Sequence, residues 1–400
     1  MIVLQLCNKS PYPANDGSSI AICNLAEGIA DNHIELHLLC INTQKHFKPD
    51  DKIPHEFKNK THYQSVYKNT NTSIVGAVSN LFSSQSYFVS RFFFKEFELA
   101  LIQKLKTVSF DIIQLEGVFM ASYIPIIKKY SKAIITLRSH NIEHQIWERH
   151  ITIEKKWLKK TYLSIQNKRL KTFEINAFNE VDAIVTITDE DKKGISKLVG
   201  DKIIHTTVTG INLENYEAKE EAKKVNSVFH FASMDWLPNI EAVDWLLQNV
   251  WNDVLKQKPE AQLILAGRGM PQRFQALKQK NITVIENVKS AQDFYQYYDI
   301  MLVPLFSGSG LRIKLVEGLA YGKPIITTTI GAEGISYTHQ KELLIADTKE
   351  EFVNAIVSLL SDNESKKQLQ KNARYLAETQ FDYLKVGAEL VNFYKILVEH

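Results

Sequence analysis

The chain has 400 residues, of which 44% are hydrophobic and 23% charged, and its formal net charge at pH 7 is +3. This length predicts about two domains. A charge so close to balance argues against a general nucleic-acid binder, which usually carries a strongly basic domain. The three cysteines, Cys7, Cys23 and Cys40, lack metal-ligand spacing and lie in apolar runs, so we expect buried free thiols in a reducing compartment.

The amino-terminal segment predicts a strand and not a targeting signal. Residues 1–6 lack the basic region and the cleavage site of a signal peptide. The sequence also has no apolar run that approaches the ~18 residues needed by a membrane-spanning helix. We therefore expect a cytoplasmic protein, with peripheral contact to the inner face of a membrane left open.

Short apolar runs alternate with helical patterns through the first half of the chain. A loop rich in Pro, Asn, Gly and Ser, residues 10–19, precedes a predicted helix over 20–30. The predicted strands of this half are 2–7, 34–40, 111–115, 133–137 and 183–187. Such alternation is typical of parallel strands joined by crossover helices.

The same pattern restarts after a polar, charged linker at 216–225. The predicted strands of the second half are 228–231, 262–266, 283–286, 300–304 and 324–328, and its predicted helices are 240–254, 272–279, 291–297 and 313–321. The fold class is therefore α/β, with two Rossmann-like, doubly wound parallel sheets.

The most informative segment is LVPLFSGSGLRIKLVEGLAYGKP, residues 302–324. A strand ends and a loop of small residues leads into a helix start, where free N–H groups and the helix dipole favour an anion. Arg312 and Lys314 would oppose that dipole unless an anion is bound there, so the pair favours a phosphate ligand. The carboxylate of Glu317 could accept hydrogen bonds from sugar hydroxyls nearby. The alternative is a glycine loop with a surface salt bridge.

A second polar segment, RSHNIEH at 138–144, directly follows a predicted strand. Ligands bind open α/β sheets at this edge, so His140 is a candidate cleft histidine, with a structural cap as the alternative. His140, Glu143 and His144 also match the inverted metalloprotease pattern. That pattern needs both histidines on one helix, whereas we expect His140 in a loop and identify no third ligand. We therefore expect no metal site.

Three further segments are weaker candidates for ligand binding because each follows a predicted strand. The loop 11–19 leads into a helix start that could seat another anion. Asn239 precedes a helix of the second half, and glycines after 262–266 would allow close backbone approach to a phosphate. The candidate residues here are Asp16, Gly17 and Ser18 in the first loop, Asn239 in the second, and Gly267 and Arg268 in the third.

The excess positive charge is concentrated between His150 and Lys171. The basic residues there are Lys155, Lys156, Lys159, Lys160, Lys168, Arg169 and Lys171. This segment predicts either contact with an anionic membrane or lipid phosphate, or a long helix with a solvated basic face. The aromatic-rich segment 87–97 has similar alternatives, namely an acceptor cleft, insertion into lipid, or packing in the core.

Taken in chain order, these segments resemble the family 4 retaining glycosyltransferases, which have the GT-B fold. The resemblance implies two Rossmann-like domains facing across a cleft, the first binding a carbohydrate or lipid-linked acceptor and the second a nucleotide-activated sugar. The corresponding domains are 1–212 and 213–379. It also implies that a last helix, at about 380–400, crosses back to pack on the first domain.

The resemblance also implies roles for residues of the 302–324 segment. Glu317 resembles the second Glu of the family's Glu-x7-Glu pair, which holds the nucleotide ribose. The first Glu is replaced by Ser309, so the carboxylate that often contacts the donor sugar is missing. We expect the backbone N–H groups of Gly310 and Leu311 to bind sugar hydroxyls or phosphate instead.

The family often has an Arg and a Lys early in the second domain, and residues 233–239 contain neither. Arg312 and Lys314 are our candidates to replace them, with His140 orienting the donor sugar or its phosphate. The implied activity is retaining transfer of a sugar from a nucleoside diphosphate donor to an acceptor hydroxyl, without metal or other cofactor, in cell-surface polysaccharide or glycolipid synthesis. The alternatives are a GT-B-like sugar-nucleotide epimerase and a noncatalytic nucleotide-sugar-binding protein.

Overall fold

The computed structural model describes residues 1–14, 16–44, 47–71, 73–216, 224–308 and 310–399. The chain divides into two compact units. The first is Met1–Gly210 together with the carboxy-terminal helix from Tyr383, and the second is Ile211–Asp382. Each unit is built on one parallel sheet, with seven strands in the first and six in the second within the described ranges. The predicted α/β class with two Rossmann-like sheets is confirmed.

The first sheet has the spatial strand order β3-β2-β1-β4-β5-β6-β7. Its strands are β1 Ile2–Cys7, β2 Glu35–Thr43, β3 Gln64–Lys68, β4 Ile112–Glu116, β5 Ile134–Ser139, β6 Ala183–Thr186 and β7 Ile203–Thr206. The helices of this part are α1 Gly17–Asp31, α2 His55–Lys60, α3 Ile74–Ser79, α4 Tyr87–Ser90, α5 Lys95–Thr107, α6 Ile124–Tyr130, α7 Glu143–Ile153, α8 Trp157–Glu180 and α9 Asp189–Val199.

From β1 the chain adds β2 and β3 toward one edge of the sheet, and it then adds β4 to β7 toward the other edge. The order of connection therefore reverses between β1 and β4, which pair with each other in parallel. β1 and β4 are buried almost throughout, as expected for central strands covered on both faces. β3 and β7 are the two edge strands and were missed by sequence reasoning. Both are only partly buried, so neither needs the apolar run by which the central strands were recognised.

The second sheet has the order β10-β9-β8-β11-β12-β13 and reverses between β8 and β11. Its strands are β8 Lys224–Phe231, β9 Gln262–Gly267, β10 Ile282–Glu286, β11 Tyr298–Val303, β12 Ile325–Thr327 and β13 Leu344–Ile345. Its helices are α10 Leu237–Trp245, α11 Trp251–Gln257, α12 Gln272–Gln275, α13 Ala291–Tyr297, α14 Ile313–Ala320, α15 Lys349–Ser361 and α16 Asn363–Gln380. A π-helical turn, Leu246–Val250, joins α10 to α11.

Two of the differences from the sequence-based expectation concern the predicted linker and the helix predicted over 272–279. Most of the predicted linker, residues 217–223, lies outside the described residues, but Lys224 already belongs to β8. The helix predicted over 272–279 ends at Gln275, and Phe274 is its one buried residue. A segment with so little apolar surface to bury does not sustain a longer helix.

The last helix, α17, runs from Tyr383 to Glu399 and packs against α1 in the first unit. Val386, Leu390, Val391 and Tyr394 form its buried face. Spacings of three and four residues place these side chains on one stripe. Among the described residues, none of the helices combines the length and apolarity needed to cross a bilayer.

Candidate functional site

The loops that follow β8 and β11 carry most of the predicted ligand-binding residues. Since the connection order reverses between these two strands, their carboxyl ends flank the position where doubly wound sheets bind ligands. The loop after β11 leads into α14, and the loop after β8 leads into α10, which begins at Leu237 with a proline in its first turn.

Lys314 and Asn239, which were predicted from separate segments, lie together at this position. The ammonium of Lys314 donates to Asn239 Oδ1 at 2.7 Å. Asn239 is only 5% exposed, and its Nδ2 donates to the carbonyl oxygen of Ser233 at 2.7 Å. Burial, with a contribution from the charge of Arg312, lowers the pKa of Lys314 to about 7. An anionic ligand would favour the charged form of this side chain.

Arg312 precedes α14 and is 5% exposed. Its guanidinium lies over the ring of Trp236, 5.6 Å from the ring centroid, and donates to the carbonyl oxygens of Gly310 and, at 3.4 Å, Ile330. Glu333 lies 3.6 Å away. Arg312 therefore shapes its own loop as well as adding positive charge to it.

The glycines of this loop have backbone angles that other residues rarely adopt. Gly308 has φ +104° and Gly310 has φ +81°. A Cβ atom at Gly308 would lie 2.7 Å from the ring of Trp236, so the loop could not keep this path with a larger residue. Gly310 and the partly buried Leu311 stand directly before Arg312. Ser309, which was predicted to replace a family carboxylate, lies outside the described residues.

Glu317 lies one turn further along α14 than Lys314 and is partly buried. Tyr216 donates its hydroxyl to Glu317 Oε1 at 3.3 Å. Tyr321 lies between Tyr216 and Tyr295, with ring centroids 4.9 Å apart in both pairs. Burial raises the pKa of Glu317 to about 7. Sequence reasoning missed Tyr216, because it assigned that residue to the linker.

The loop after β9 contacts the loop after β8. A Cβ atom at Gly267 would lie 1.7 Å from the carbonyl oxygen of Ala232. The exposed Arg268 donates from Nε to Ser233 Oγ at 3.1 Å and lies 3.3 Å from Asp235. The close backbone approach predicted at Gly267 thus joins two loops of this unit, and Arg268 helps to hold them.

In the first unit, His140 follows β5 and lies in a loop, as predicted. Its Nε2 donates to Glu116 Oε2 at 2.7 Å. Glu116 ends β4, beside the position where the first sheet reverses its connection order. Sequence reasoning missed Glu116. The available signal was a carboxylate at the last position of an otherwise apolar strand.

Asp16 caps the amino terminus of α1. Its Oδ1 accepts from the backbone N–H groups of Ser18 at 3.1 Å and Ser19 at 3.0 Å, and Lys9 Nζ lies 2.6 Å away. Burial raises the pKa of Asp16, but Lys9 and the N–H groups outweigh burial and lower it to about 2. The anion seat predicted at this helix start is thus filled by the chain's own carboxylate. Gly17 and Ser18 are exposed beside it.

The two histidines of the metalloprotease-like pattern form hydrogen bonds with different carboxylates. α7 begins only at Glu143, so His140 is outside the helix. His144 Nδ1 pairs with Glu174 Oε2 of α8 at 2.5 Å, whereas His140 pairs with Glu116. Among the described residues, the group of potential metal ligands that does converge lies around the amino end of β2 and consists of Glu35, His37 and His62.

A known family model matches most of the second unit. Residues 225–362 match the family model described as glycosyl transferases group 1. The matched residues make up most of the second unit. Both loops of the candidate site, with Asn239, Arg312, Lys314 and Glu317, lie inside them.

A sequence relative and two solved structures are also similar to this chain, and the structures extend the likeness to the first unit. An uncharacterized 44.6 kDa protein in the cps region of Klebsiella pneumoniae is 23% identical over 161 residues, which cover 38% of this chain and less than half, 42%, of that protein. Sucrose-phosphate synthase from Thermosynechococcus elongatus superposes over 99% of both chains with a TM-score of 0.71 and 13% identity. Anabaena HepE in complex with UDP-glucose covers 98% of this chain and 99% of its own, with a TM-score of 0.65 and 13% identity. The predicted GT-B fold is confirmed.

Proposed function

We propose that this protein transfers a sugar from a nucleoside diphosphate sugar to an acceptor hydroxyl. The observation that carries the proposal is the Lys314 ammonium, fixed by Asn239 at the first turn of α14, within the residues that match the group 1 glycosyl transferase model. A cation that burial destabilises is suited to a site that fills with a phosphate anion. The helix dipole acts in the same direction.

In the proposed reaction the bond between the sugar C1 and the diphosphate oxygen breaks while the acceptor oxygen bonds to C1 on the same face. The acceptor proton passes to the departing diphosphate. Lys314, Arg312 and the N–H groups of Gly310 and Leu311 stabilise the charge that develops there, which removes the need for a metal ion. Glu317 accepts hydrogen bonds from the ribose, and His140 orients the donor sugar or its phosphate.

The substrate classes are a nucleoside diphosphate sugar and a carbohydrate or lipid-linked acceptor. The location of the Klebsiella relative in a cps region supports a role in cell-surface polysaccharide synthesis. The UDP-glucose bound to Anabaena HepE makes UDP-sugars the first donors to test.

A panel of nucleoside diphosphate sugars, screened by thermal shift and then by transfer assay, tests the proposal. A donor present at 100 times its Kd should stabilise the protein by about 2.7 kcal/mol. Release of nucleoside diphosphate that depends on acceptor, with a glycosylated product, supports sugar transfer. An altered nucleotide sugar formed without acceptor would instead indicate an epimerase, and binding without turnover across an acceptor panel would indicate a noncatalytic module.

Binding of UDP should take up a proton above pH 7. With a pKa of about 7, about nine-tenths of Lys314 is neutral at pH 8, and a bound diphosphate restores its charge. Calorimetry at pH 8 in buffers of different ionisation enthalpy should therefore show uptake approaching ~0.9 proton per site. The Lys314→Met variant is the control and should lose this uptake; equal uptake in both proteins would contradict the placement of the phosphates at Lys314.

The proposal includes peripheral membrane contact through the start of α8. Residues 155–161 are all exposed, including two large apolar side chains, Trp157 at 72% and Leu158 at 66%. Lys155, Lys156 and Lys160 surround them in the sequence. Apolar side chains ringed by lysines are suited to the headgroup region of an anionic bilayer.

Replacing two of these lysines should weaken binding to anionic vesicles. At about 1 kcal/mol per lysine, Lys155→Gln/Lys156→Gln should lower the partition coefficient about 30-fold. Co-sedimentation with vesicles of phosphatidylglycerol and phosphatidylcholine measures this effect. Lys278→Gln/Lys280→Gln, which removes two exposed lysines of the second unit, is the matched control. Equal binding by both variants, or equal wild-type binding to purely zwitterionic vesicles, would contradict the membrane contact.

A further inference from the structure

A fully buried carboxylate, Glu116, stands at the centre of a polar cluster in the first unit. It is the last residue of β4 and is 0% exposed. Its Oε1 accepts hydrogen bonds from the side-chain amides of Gln5, at 2.6 Å, and Gln114. Its Oε2 accepts from Arg138 Nη1 at 3.3 Å and from His140 Nε2 at 2.7 Å. Each carboxylate oxygen of Glu116 therefore accepts hydrogen bonds from two side chains.

These donors keep Glu116 ionised. Burial alone would raise its pKa, but Arg138 and His140 outweigh burial and lower it below its ordinary value. The other titratable groups whose charge would be felt by Glu116 are Cys7 of β1 and Tyr394 of α17. Burial raises the pKa of both, so both stay neutral at physiological pH. The charged groups of the cluster are therefore Glu116, Arg138 and, when protonated, His140.

Within the cluster His140 is the member that reaches solvent. Its side chain is 15% exposed, whereas those of Glu116 and Arg138 are 0% exposed. An ionised carboxylate only accepts hydrogen bonds, so the Nε2 atom of His140 must carry the proton in this contact. Nδ1 is then the ring nitrogen that Glu116 does not engage.

We propose that Glu116 is a positioning residue for His140, fixing the direction of its ring so that Nδ1 is presented to the donor sugar or its phosphate. The inference rests on the proposed function, in which His140 contacts the donor. A carboxylate that orients and stabilises an imidazolium is a known way to prepare a histidine for catalysis.

The cluster is also tied to the carboxy-terminal helix. The hydroxyl of Tyr394 donates to Gln114 Oε1, and Gln114 in turn donates to Glu116. Tyr394 and Gln114 are both fully buried. α17 thus helps to fix Gln114, which in turn fixes the carboxylate of Glu116. A fixed carboxylate restricts the positions that the ring of His140 can take.

The direct test is the Nε2–H resonance of His140, followed by ¹H–¹⁵N NMR in protein labelled with ¹⁵N-histidine. The resonance is assigned by its loss in His140→Ala. Glu116→Gln replaces a charged acceptor by a neutral amide of the same shape, so this proton should move upfield and exchange faster with solvent. Glu116→Asp, which keeps the charge, should largely restore both. The matched control is Glu174→Gln, which changes an equally buried carboxylate paired with His144 and should leave the His140 resonance unchanged.

The kinetic test separates positioning from a structural role. In Glu116→Gln the turnover number should fall at least tenfold with an unchanged Kd for UDP, and Glu116→Asp should recover most of the lost turnover. If Glu116→Gln does not fold because Arg138 is left buried beside a neutral partner, Glu116→Gln/Arg138→Met removes both charges and takes its place.

An unchanged Nε2–H resonance of His140 in these variants overturns the inference, whether or not transfer is observed. A loss of activity in Glu116→Gln that also appears in Glu174→Gln overturns it too, because the loss would then follow from general damage to the unit. A changed Nε2–H resonance of His140 in a protein whose wild type transfers no sugar would support the pairing and refute the proposed function. A failure of the inference about Glu116 can therefore be distinguished from a failure of the proposed function.

Discussion

Lys314→Met should lower the rate of sugar transfer at least about 10²-fold, the scale of losing one charged transition-state contact. The reason is that Lys314 is held by Asn239 at the first turn of α14, where the leaving diphosphate would lie. The free energy of unfolding should change little, because removing a buried charge, whose pKa is lowered to about 7, offsets the loss of the donor to Asn239 Oδ1. Steady-state kinetics with the donor identified by thermal shift, alongside urea unfolding, measures both quantities.

A second buried lysine of the same unit provides the control. Lys323 is 3% exposed and donates to the carbonyl oxygen of Tyr298 at 2.7 Å. Lys323→Met should lower the free energy of unfolding by about 1–3 kcal/mol, because it leaves that buried carbonyl without its donor. At a temperature where the variant stays folded, its transfer rate should remain near that of the wild type. Near-normal transfer by Lys314→Met would contradict the role given to Lys314.

Glu317→Gln should lower kcat/KM for the donor about 10²-fold, mainly through a higher KM. Hydrogen bonds to a charged group contribute about 1.5–3 kcal/mol each, so replacing a carboxylate that accepts from ribose hydroxyls by an amide has an effect of this size. A donor analogue lacking ribose hydroxyls should be used poorly by the wild type but should lose little further in Glu317→Gln. Independent, additive losses would contradict the ribose contact.

Tyr216→Phe is the matched control for Glu317→Gln. It removes the hydroxyl that donates to Glu317 at 3.3 Å but keeps the carboxylate, so kcat/KM should fall less than about tenfold. Stability provides a second readout. Because the folded-state pKa of Glu317 is raised to about 7, its contribution to stability is present below the unfolded-state pKa and is lost as the pH rises through 7. Glu317→Gln should accordingly raise the Tm at pH 8 relative to the wild type.

The sequence predicted the central strands and the loop before α14 because their signals are local. Apolar runs mark the buried strands, and residues 302–324 place a loop, two cations and a carboxylate on consecutive turns. The edge strands β3 and β7 gave no such signal, since they are only partly buried. The capping of α1 by Asp16 was also missed, although an acidic residue before a helix is a common cap.

Contacts between residues far apart in sequence could not be predicted. Glu116 and His140 meet because β4 and β5 are neighbours in the sheet, and Tyr216 meets Glu317 across about a hundred residues of chain. Strand order and register decide such contacts, and a single sequence carries both only weakly. The sequence therefore predicted the types of residues in the candidate site but not the partners that orient them.

The most direct test of the central claim is a crystal structure of the protein with bound nucleoside diphosphate. We predict a phosphate oxygen within about 3 Å of Lys314 Nζ and ribose hydroxyls at the same distance from the carboxylate of Glu317. Phosphates lying more than about 6 Å from both Lys314 and Arg312, beyond the range at which a neighbouring charge strongly shifts a pKa, would contradict it.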